Sequence, residues 1–379
     1  MKILFLDQSG KPGGAELCLI DVAKPYRDSC LVGLFIDGAF RQLLEQQQIP
    51  VEVLATEAIK VRKESSLIQS LSSVTALLPL IAKVVQKARQ YDLIYANTQK
   101  ALVVGALASF FSRRPLVYHL HDILSTDHFS PTNLKVAVTL ANRFASLVIA
   151  NSQASQAAFL AAGGRSDIID VVYNGFDPEV YQFDRTNSQL KTQLELDGKF
   201  IVGHFSRLSP WKGQHILIEA LTYCPKNVTA IFVGDALFGE QDYVEQLHKQ
   251  VAELGVEDRV KFLGFRSDIP QLMAICDLVA HTSIAPEPFG RVIVEAMLSG
   301  IPIVAAQSGG AIELIEPGIN GFLVPPDQPQ QLAEVINTCH NQPKSTIAIA
   351  KSAQEMATRR FHQTNIDRQI ADLLSRNFT

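Results

Sequence analysis

Glu287 and Glu295 stand eight residues apart in the run Pro286-Glu287-Pro288-Phe289-Gly290-Arg291-Val292-Ile293-Val294-Glu295. The preceding Leu278 to Thr282 reads as a short apolar strand, and the pattern predicts a helix over Phe289 to Ser299 that stops at Gly300. Glu287 then precedes the helix, and Glu295 lies about two turns inside it. A helix start carries unpaired N–H groups and the positive end of the macrodipole, which favour an anion such as a phosphate or pyrophosphate. A carboxylate at the same edge serves other chemistry: an ionised Glu accepts two hydrogen bonds at once and suits sugar hydroxyls.

Arg207 and Lys212 follow the predicted strand Phe200 to Phe205, in Ser206-Arg207-Leu208-Ser209-Pro210-Trp211-Lys212-Gly213. Both therefore reach the carboxyl edge of a parallel sheet, where α/β proteins bind ligands. Two cations there suit a nucleotide diphosphate, whose departure as an anion needs preorganised positive charge from a metal or from Arg and Lys. His121 follows the predicted strand Leu116 to His119 and precedes Asp122, at the corresponding edge of an earlier sheet. His119, two residues back, shares that strand face and is its rival. Gly13-Gly14 makes the turn after the first strand, where absent side chains let backbone approach a phosphate or an acceptor. Residues 10–14 lack the Gly-x-Gly-x-x-Gly run of dinucleotide sites. Glu16, at the next helix start, either bonds an acceptor or favours the helix dipole.

The elements that position these residues alternate, strand and helix, from end to end, as in parallel sheets covered on both faces. Predicted strands in the first half are Lys2 to Leu6, Ser29 to Ile36, Val51 to Leu54, Leu93 to Ala96, Leu116 to His119, Leu147 to Ala150 and Ile168 to Val172. The second half restarts with Phe200 to Phe205, Thr229 to Val233, Val260 to Leu263, Leu278 to His281, Ile301 to Ala305 and Gly321 to Val324. Two sheets are implied, separated near Tyr173 to Tyr181, and 379 residues of which 47% are hydrophobic suffice for two cores. Two helices are expected over Pro343 to Asn377, the second with an apolar stripe of Ile366, Ile370, Leu373 and Leu374.

Five widely spaced cysteines without a Cys-x-x-Cys pair indicate neither a disulfide framework nor a zinc site, and suit a reducing cytosol. The first strand reaches Asp7 too soon for a signal peptide, and no run is long enough to span a bilayer. The net charge of −4 argues against a nucleic-acid binder. Residues 1 to 178 hold 17 basic and 15 acidic side chains, whereas the remainder holds 17 and 23. Basic clusters in the first part are Lys60-Val61-Arg62-Lys63, Arg113-Arg114, and Lys83, Lys87 and Arg89 on a helix expected after Pro79. They read either as solvated helix faces or as a contact with anionic lipid or a pyrophosphate-bearing acceptor.

Glu-Pro-Phe-Gly followed by a second Glu resembles the donor-site signature of retaining GT-B glycosyltransferases of family 4. Further segments are similar to that family in the expected order: Gly13-Gly14-Ala15-Glu16, Asn174-Gly175-Phe176-Asp177, Ser206 to Gly213, Ser308-Gly309-Gly310-Ala311-Ile312-Glu313 and Asn320-Gly321-Phe322-Leu323-Val324. The resemblance implies two Rossmann-like parallel-sheet domains facing across a cleft. The first is 1–177, an acceptor domain joined by the C-terminal helix from about 363 to 379, and the second is 178–362, a nucleotide-sugar domain. Asn174, Gly175 and Asp177 would be hinge residues.

By the same resemblance, Glu287 would bond the donor sugar near its 3-hydroxyl, the amides of Phe289 and Gly290 its 4-hydroxyl, and Glu295 the ribose. Gly264 and Phe265, with Arg266, would flank the base, and His121 would orient the sugar. Arg207 and Lys212, aided by the amides of Gly13 and Gly14, would stabilise the diphosphate without a metal, since the chain has no Asp-x-Asp pair. The implied reaction moves a hexose from a UDP-sugar such as UDP-glucose to a glycan or lipid-linked acceptor with retention, in cell-surface polysaccharide synthesis. It needs no cofactor and takes place in the cytoplasm or at the inner face of the membrane. Thr56 to Ser73 and Ile123 to Asn133 would contact the acceptor. A GT-B UDP-sugar 2-epimerase, a non-catalytic sugar- or nucleotide-binding protein and a nicotinamide dehydrogenase are the competing readings.

Overall fold

The computed structural model describes residues 1–54, 67–126, 128–183, 188–236 and 239–378, with the side chains of 67–76 and 188 outside that description. The cluster Lys60 to Lys63 and most of the segment Thr56 to Ser73 thus lie outside the described residues. The chain divides into two units, Met1–Gly175 with Gln363–Thr379, and Phe176–His362.

Unit 1 holds seven strands: β1 (Ile3–Asp7), β2 (Cys30–Leu34), β3 (Val51–Val53), β4 (Leu93–Ala96), β5 (Leu116–Leu120), β6 (Ala145–Ala150) and β7 (Ile169–Val171). All pair in parallel, in the order β3-β2-β1-β4-β5-β6-β7. β1, β4 and β5 are buried at every position, as expected of strands with helices over both faces. The order reverses between β1 and β4, so a crevice opens at their carboxyl ends. The final helix, Gln363–Phe378, buries Ile366, Ile370, Leu373 and Leu374 in one cluster with Ile3, Phe5, Leu19 and Tyr95, so the apolar stripe completes the core of unit 1.

Unit 2 repeats the plan with β8 (Phe200–Phe205), β9 (Val228–Val233), β10 (Val260–Gly264), β11 (Leu278–His281), β12 (Ile303–Ala306) and β13 (Phe322–Val324). Their order, β10-β9-β8-β11-β12-β13, is again parallel and reverses between β8 and β11. Phe176 and His362, the residues at either end of unit 2, bridge to each other, and Phe176 N donates to the Phe361 carbonyl at 2.9 Å.

Every expected strand is present with bounds within two residues. Two helices differ from expectation. The helix after Glu287 is Arg291–Leu298, because Gly290 adopts φ 93° and ψ 57°, a left-handed conformation that cannot belong to a right-handed helix. Glu295 is therefore one turn in rather than two. The helix bearing Lys83 and Lys87 is Leu67–Ala88 and runs through Pro79 instead of starting after it. Proline removes one amide bond, and burial of Leu80, Ile81, Val84 and Ala88 in the core holds the helix beyond it. Lys83 and Lys87 both reach Glu52 beside them, at 3.4 and 2.5 Å. All five cysteines are buried and none forms a disulfide, and among the described residues no helix is long and apolar enough to cross a membrane.

Candidate functional site

In unit 2 the loop after β8 and the loop after β11 are fastened to each other at the sheet's switch point. The Thr282 hydroxyl lies 2.7 Å from the Gly213 carbonyl and 3.0 Å from that of Lys212, while Ile284 N donates to the Trp211 carbonyl at 2.8 Å. Gly213 takes φ 69°, and a Cβ there would stand 2.1 Å from the Thr282 carbonyl oxygen. From the other side, Gln214 Nε2 donates to the Arg207 carbonyl at 2.8 Å and to the Ser206 hydroxyl at 2.9 Å.

That fastening brings two of the expected residues into contact. Lys212 Nζ lies 2.7 Å from Glu287 Oε2, with the two side chains only 14% and 12% exposed. The same Oε2 lies 3.1 Å from His281 Nε2 and accepts from the Ser283 hydroxyl at 3.1 Å. Burial pushes the Glu287 carboxyl pKa up, but the Lys212 charge and the bonds from His281 and Lys212 outweigh it and hold the group ionised, well below the usual carboxylate range. Lys212 Nζ also sits 3.9 Å from the centre of the Trp211 ring, and the Arg207 guanidinium carbon 5.7 Å from it. The Trp211 ring thus lies within cation–π distance of both cations.

The Ser308-Gly309-Gly310 segment supports the Glu287 backbone. Gly310 N donates to the Glu287 carbonyl at 2.7 Å, and a Cβ on Gly309, at φ 59°, would stand 2.3 Å from that oxygen. Phe289 is buried against Phe176 and Phe361, so it anchors the loop while its backbone and that of Gly290 lead into the helix. Glu295, its side chain 12% exposed, lies beside Arg291, 3.6 Å away, and bonds to the Tyr181 hydroxyl. Burial leaves its carboxyl pKa above the ordinary value despite both partners. At the β10 end, Gly264 turns at φ 64° in open space, Phe265 is 72% exposed, and Arg266 is held by Asp268.

Unit 1 gathers its own set at the β1–β4 crevice. Gly13 caps the helix Gly14–Ala23, and a Cβ on it would meet Glu16 Oε2 at 2.9 Å, so this glycine makes room for a carboxylate folded back over the turn. Asp7, ending β1 with no exposure, accepts from Ser9 N and from Asn97 Nδ2, each at 2.7 Å. Asn97 Oδ1 in turn lies 2.9 Å from His121 Nε2. Burial raises Asp7 to about 6, and burial with the neighbouring Asp7 charge raises Glu16 to about 7. His121 is partly exposed, whereas His119 is buried with Nδ1 2.8 Å from the Tyr95 hydroxyl, and burial lowers its pKa to about 3. The two imidazoles lie 4.0 Å apart.

Asp7, Asn97, His281, Ser283 and Trp211 were not among the residues expected from sequence. Three of them carried a readable signal: Asp7 and His281 are polar residues closing apolar strands, and Asn97 follows the apolar β4 directly.

Residues 12–180 match the family described as Glycosyltransferase Family 4, and residues 186–356 the family described as Glycosyl transferases group 1. Spore coat protein SA of Bacillus subtilis is 32% identical over 221 residues, which span 54% of this chain and 58% of that protein. D-inositol 3-phosphate glycosyltransferase of Corynebacterium glutamicum is 27% identical over 286 residues, 70% of this chain and 68% of that one. Among solved structures, HepE of Anabaena in complex with UDP-glucose superposes with a TM-score of 0.93 at 66% identity, covering 99% of both chains. Sucrose-phosphate synthase of Thermosynechococcus elongatus, 19% identical, shares the fold with a TM-score of 0.84 over 100% of this chain and 99% of its own. Two Rossmann-like parallel-sheet units are the components of the GT-B fold, and with this identity sustained along nearly its whole length the chain belongs to the group 1 glycosyltransferases of family 4.

Proposed function

We propose that the chain transfers a hexose, with retention, from a UDP-sugar of the UDP-glucose kind to a glycan or lipid-linked acceptor, without a metal. The observation that carries this reading is the Lys212–Glu287 pair at the switch point of unit 2, where one side chain suits a phosphate and the other a sugar. The likeness to HepE, crystallised with UDP-glucose, supports the choice of donor.

Lys212 carries three donors and uses one on Glu287, so its ammonium serves the diphosphate while paired. Arg207, facing the same indole, supplies the second cation. Among the described residues, the bonds to the Glu287 carboxylate all end on Oε2, which leaves Oε1 to accept from a donor-sugar hydroxyl. Glu295 accepts from the ribose hydroxyls, and exposed Phe265 with Gly264 packs against the base. The amides of Phe289 and Gly290 serve a further sugar hydroxyl. His121 is assigned a hydrogen bond that orients the donor sugar.

In the reaction the acceptor oxygen bonds to the anomeric carbon on the face the diphosphate leaves. The bond from that carbon to the phosphate oxygen breaks, and the acceptor proton passes to the departing phosphate. Preorganised cations lower the cost of the charge that develops there. The product enters cell-surface polysaccharide synthesis, at the cytoplasmic side of an anionic membrane.

The test is thermal stabilisation by UDP-, GDP- and ADP-sugars, with divalent metal or with EDTA, on wild type and Lys212→Ala. A shift with a UDP-sugar that persists in EDTA and vanishes in the variant supports the reading; unchanged UDP-sugar binding in the variant would remove Lys212 from the site.

A further inference from the structure

Cys18, on the helix Gly14–Ala23, and His119 and His121, at the end of β5, bring one sulfur and two imidazole nitrogens within 4.8 Å of one another. Among the described residues this is the one such gathering of His, Cys, Asp or Glu ligands, and all three belong to unit 1. We infer that it is a binding site for a single borderline-soft divalent cation of the zinc type.

The ligand set selects the metal class. A thiolate with two neutral imidazoles suits zinc or cobalt(II) and leaves a fourth position for water, whereas magnesium and calcium take oxygen ligands. Bonds of about 2.0–2.3 Å at tetrahedral angles set neighbouring ligand atoms roughly 3.5 Å apart. Closing from 4.8 Å or less takes about one ångström of side-chain rotation.

An independent observation points to a ligand. His119 is 2% exposed, and its Nε2 has no hydrogen-bond partner, while Nδ1 is 2.8 Å from the Tyr95 hydroxyl. Metal-bound histidines hold the second ring nitrogen on an oxygen that fixes tautomer and orientation. Tyr95 is so placed for His119. Asn97, itself bonded to Asp7, is so placed for His121. The buried Asp7 carboxylate, one hydrogen-bonded residue away, offsets part of the charge the ion brings. His121 is the least buried of the three and gives the side of entry.

Binding by these side chains does not depend on the transfer reaction. Its consequence does rest on the role proposed for His121: an ion holding that imidazole takes it away from the donor sugar and inhibits transfer.

The experiment titrates cobalt(II) alone into reduced, chelator-free full-length protein. The expected result is one ion per chain, with a thiolate-to-cobalt charge-transfer band and the intense visible bands of a tetrahedral site, both erased by zinc. Binding should release a proton and tighten as pH rises. Cys18→Ser should lose the charge-transfer band, and His121→Ala should weaken binding by at least about tenfold, with circular dichroism confirming that both variants fold. No band in wild type, or a band unchanged in both variants, overturns the site. UDP release from UDP-glucose, with zinc and then excess EDTA, separates the two claims. Reversible loss of turnover supports both, and binding without loss of turnover supports the site but overturns the role given to His121.

Discussion

Lys212 Nζ and Glu287 Oε2 meet at 2.7 Å although 75 residues separate them in the chain. Each arrives on the loop after its own strand, and β8 and β11 are neighbours only because the strand order reverses between them.

Removing one partner strands the other charge in a buried setting. Lys212→Ala should lower stability by about 3–5 kcal/mol and weaken UDP binding by roughly 2–5 kcal/mol. Glu287→Gln keeps the shape and should cost less. The double variant Lys212→Met with Glu287→Gln should recover part of the loss, giving a coupling of about 1–3 kcal/mol in urea unfolding. Additive single effects would mean the pair is not coupled in solution.

Gly213 and Gly264 separate conformational strain from collision. Both have positive φ, 69° and 64°, but a Cβ at Gly213 strikes the Thr282 carbonyl while one at Gly264 meets open space. Gly264→Ala should cost about 1 kcal/mol, and Gly213→Ala clearly more, with UDP affinity falling because the Lys212 loop is displaced. Urea midpoints and calorimetric UDP titrations check this, and equal costs at the two positions would contradict it.

The strands were legible because each is an apolar run closed by a turn residue, and strand ends placed Arg207, Lys212, Glu287 and His121 at sheet edges. The start of the Arg291–Leu298 helix was not legible, because the conformation of Gly290 depends on its packing against Ile293 and Glu287. Pro79 misled for a similar reason: core burial of the residues after it outweighs one lost amide bond. Asn97 was missed because its bonds to Asp7 and His121 join the ends of neighbouring strands and follow from register, which one sequence does not specify, and His281 because its bond to Glu287, six residues on, depends on how the loop after β11 turns back.

Asp7 and Glu16 make unit 1 sensitive to alkali. Burial raises their carboxyls to about 6 and about 7, so the folded chain keeps protons that the unfolded chain has released. Stability from this pair is full below the ordinary carboxylate range near pH 4 and is lost as pH rises through about 7. Glu287, held low, works the opposite way: its contribution is present above about pH 4.5 and is lost only in strong acid. Glu16→Gln should therefore flatten the fall of Tm between about pH 5 and 8 while leaving the acid limb in place. A parallel curve for the variant would show that Glu16 ionises normally.

Asn97 sets the proton on His121. Its amide nitrogen donates to Asp7 Oδ2 at 2.7 Å and to the Ala15 carbonyl at 3.1 Å, so its oxygen faces His121 and Nε2 must be the donor. His121→Ala should lower kcat by roughly 10²-fold with little change in UDP affinity, as expected for a group that acts on the sugar rather than on the nucleotide. Asn97→Ala removes the bond that makes Nε2 the donor, and should lower kcat by about tenfold with His121 still present. Combining the two should cost no more than His121→Ala alone, since Asn97 acts through the histidine. Turnover read as UDP release from UDP-glucose decides the matter: a double variant markedly slower than His121→Ala would mean that Asn97 and Asp7 address the substrate directly.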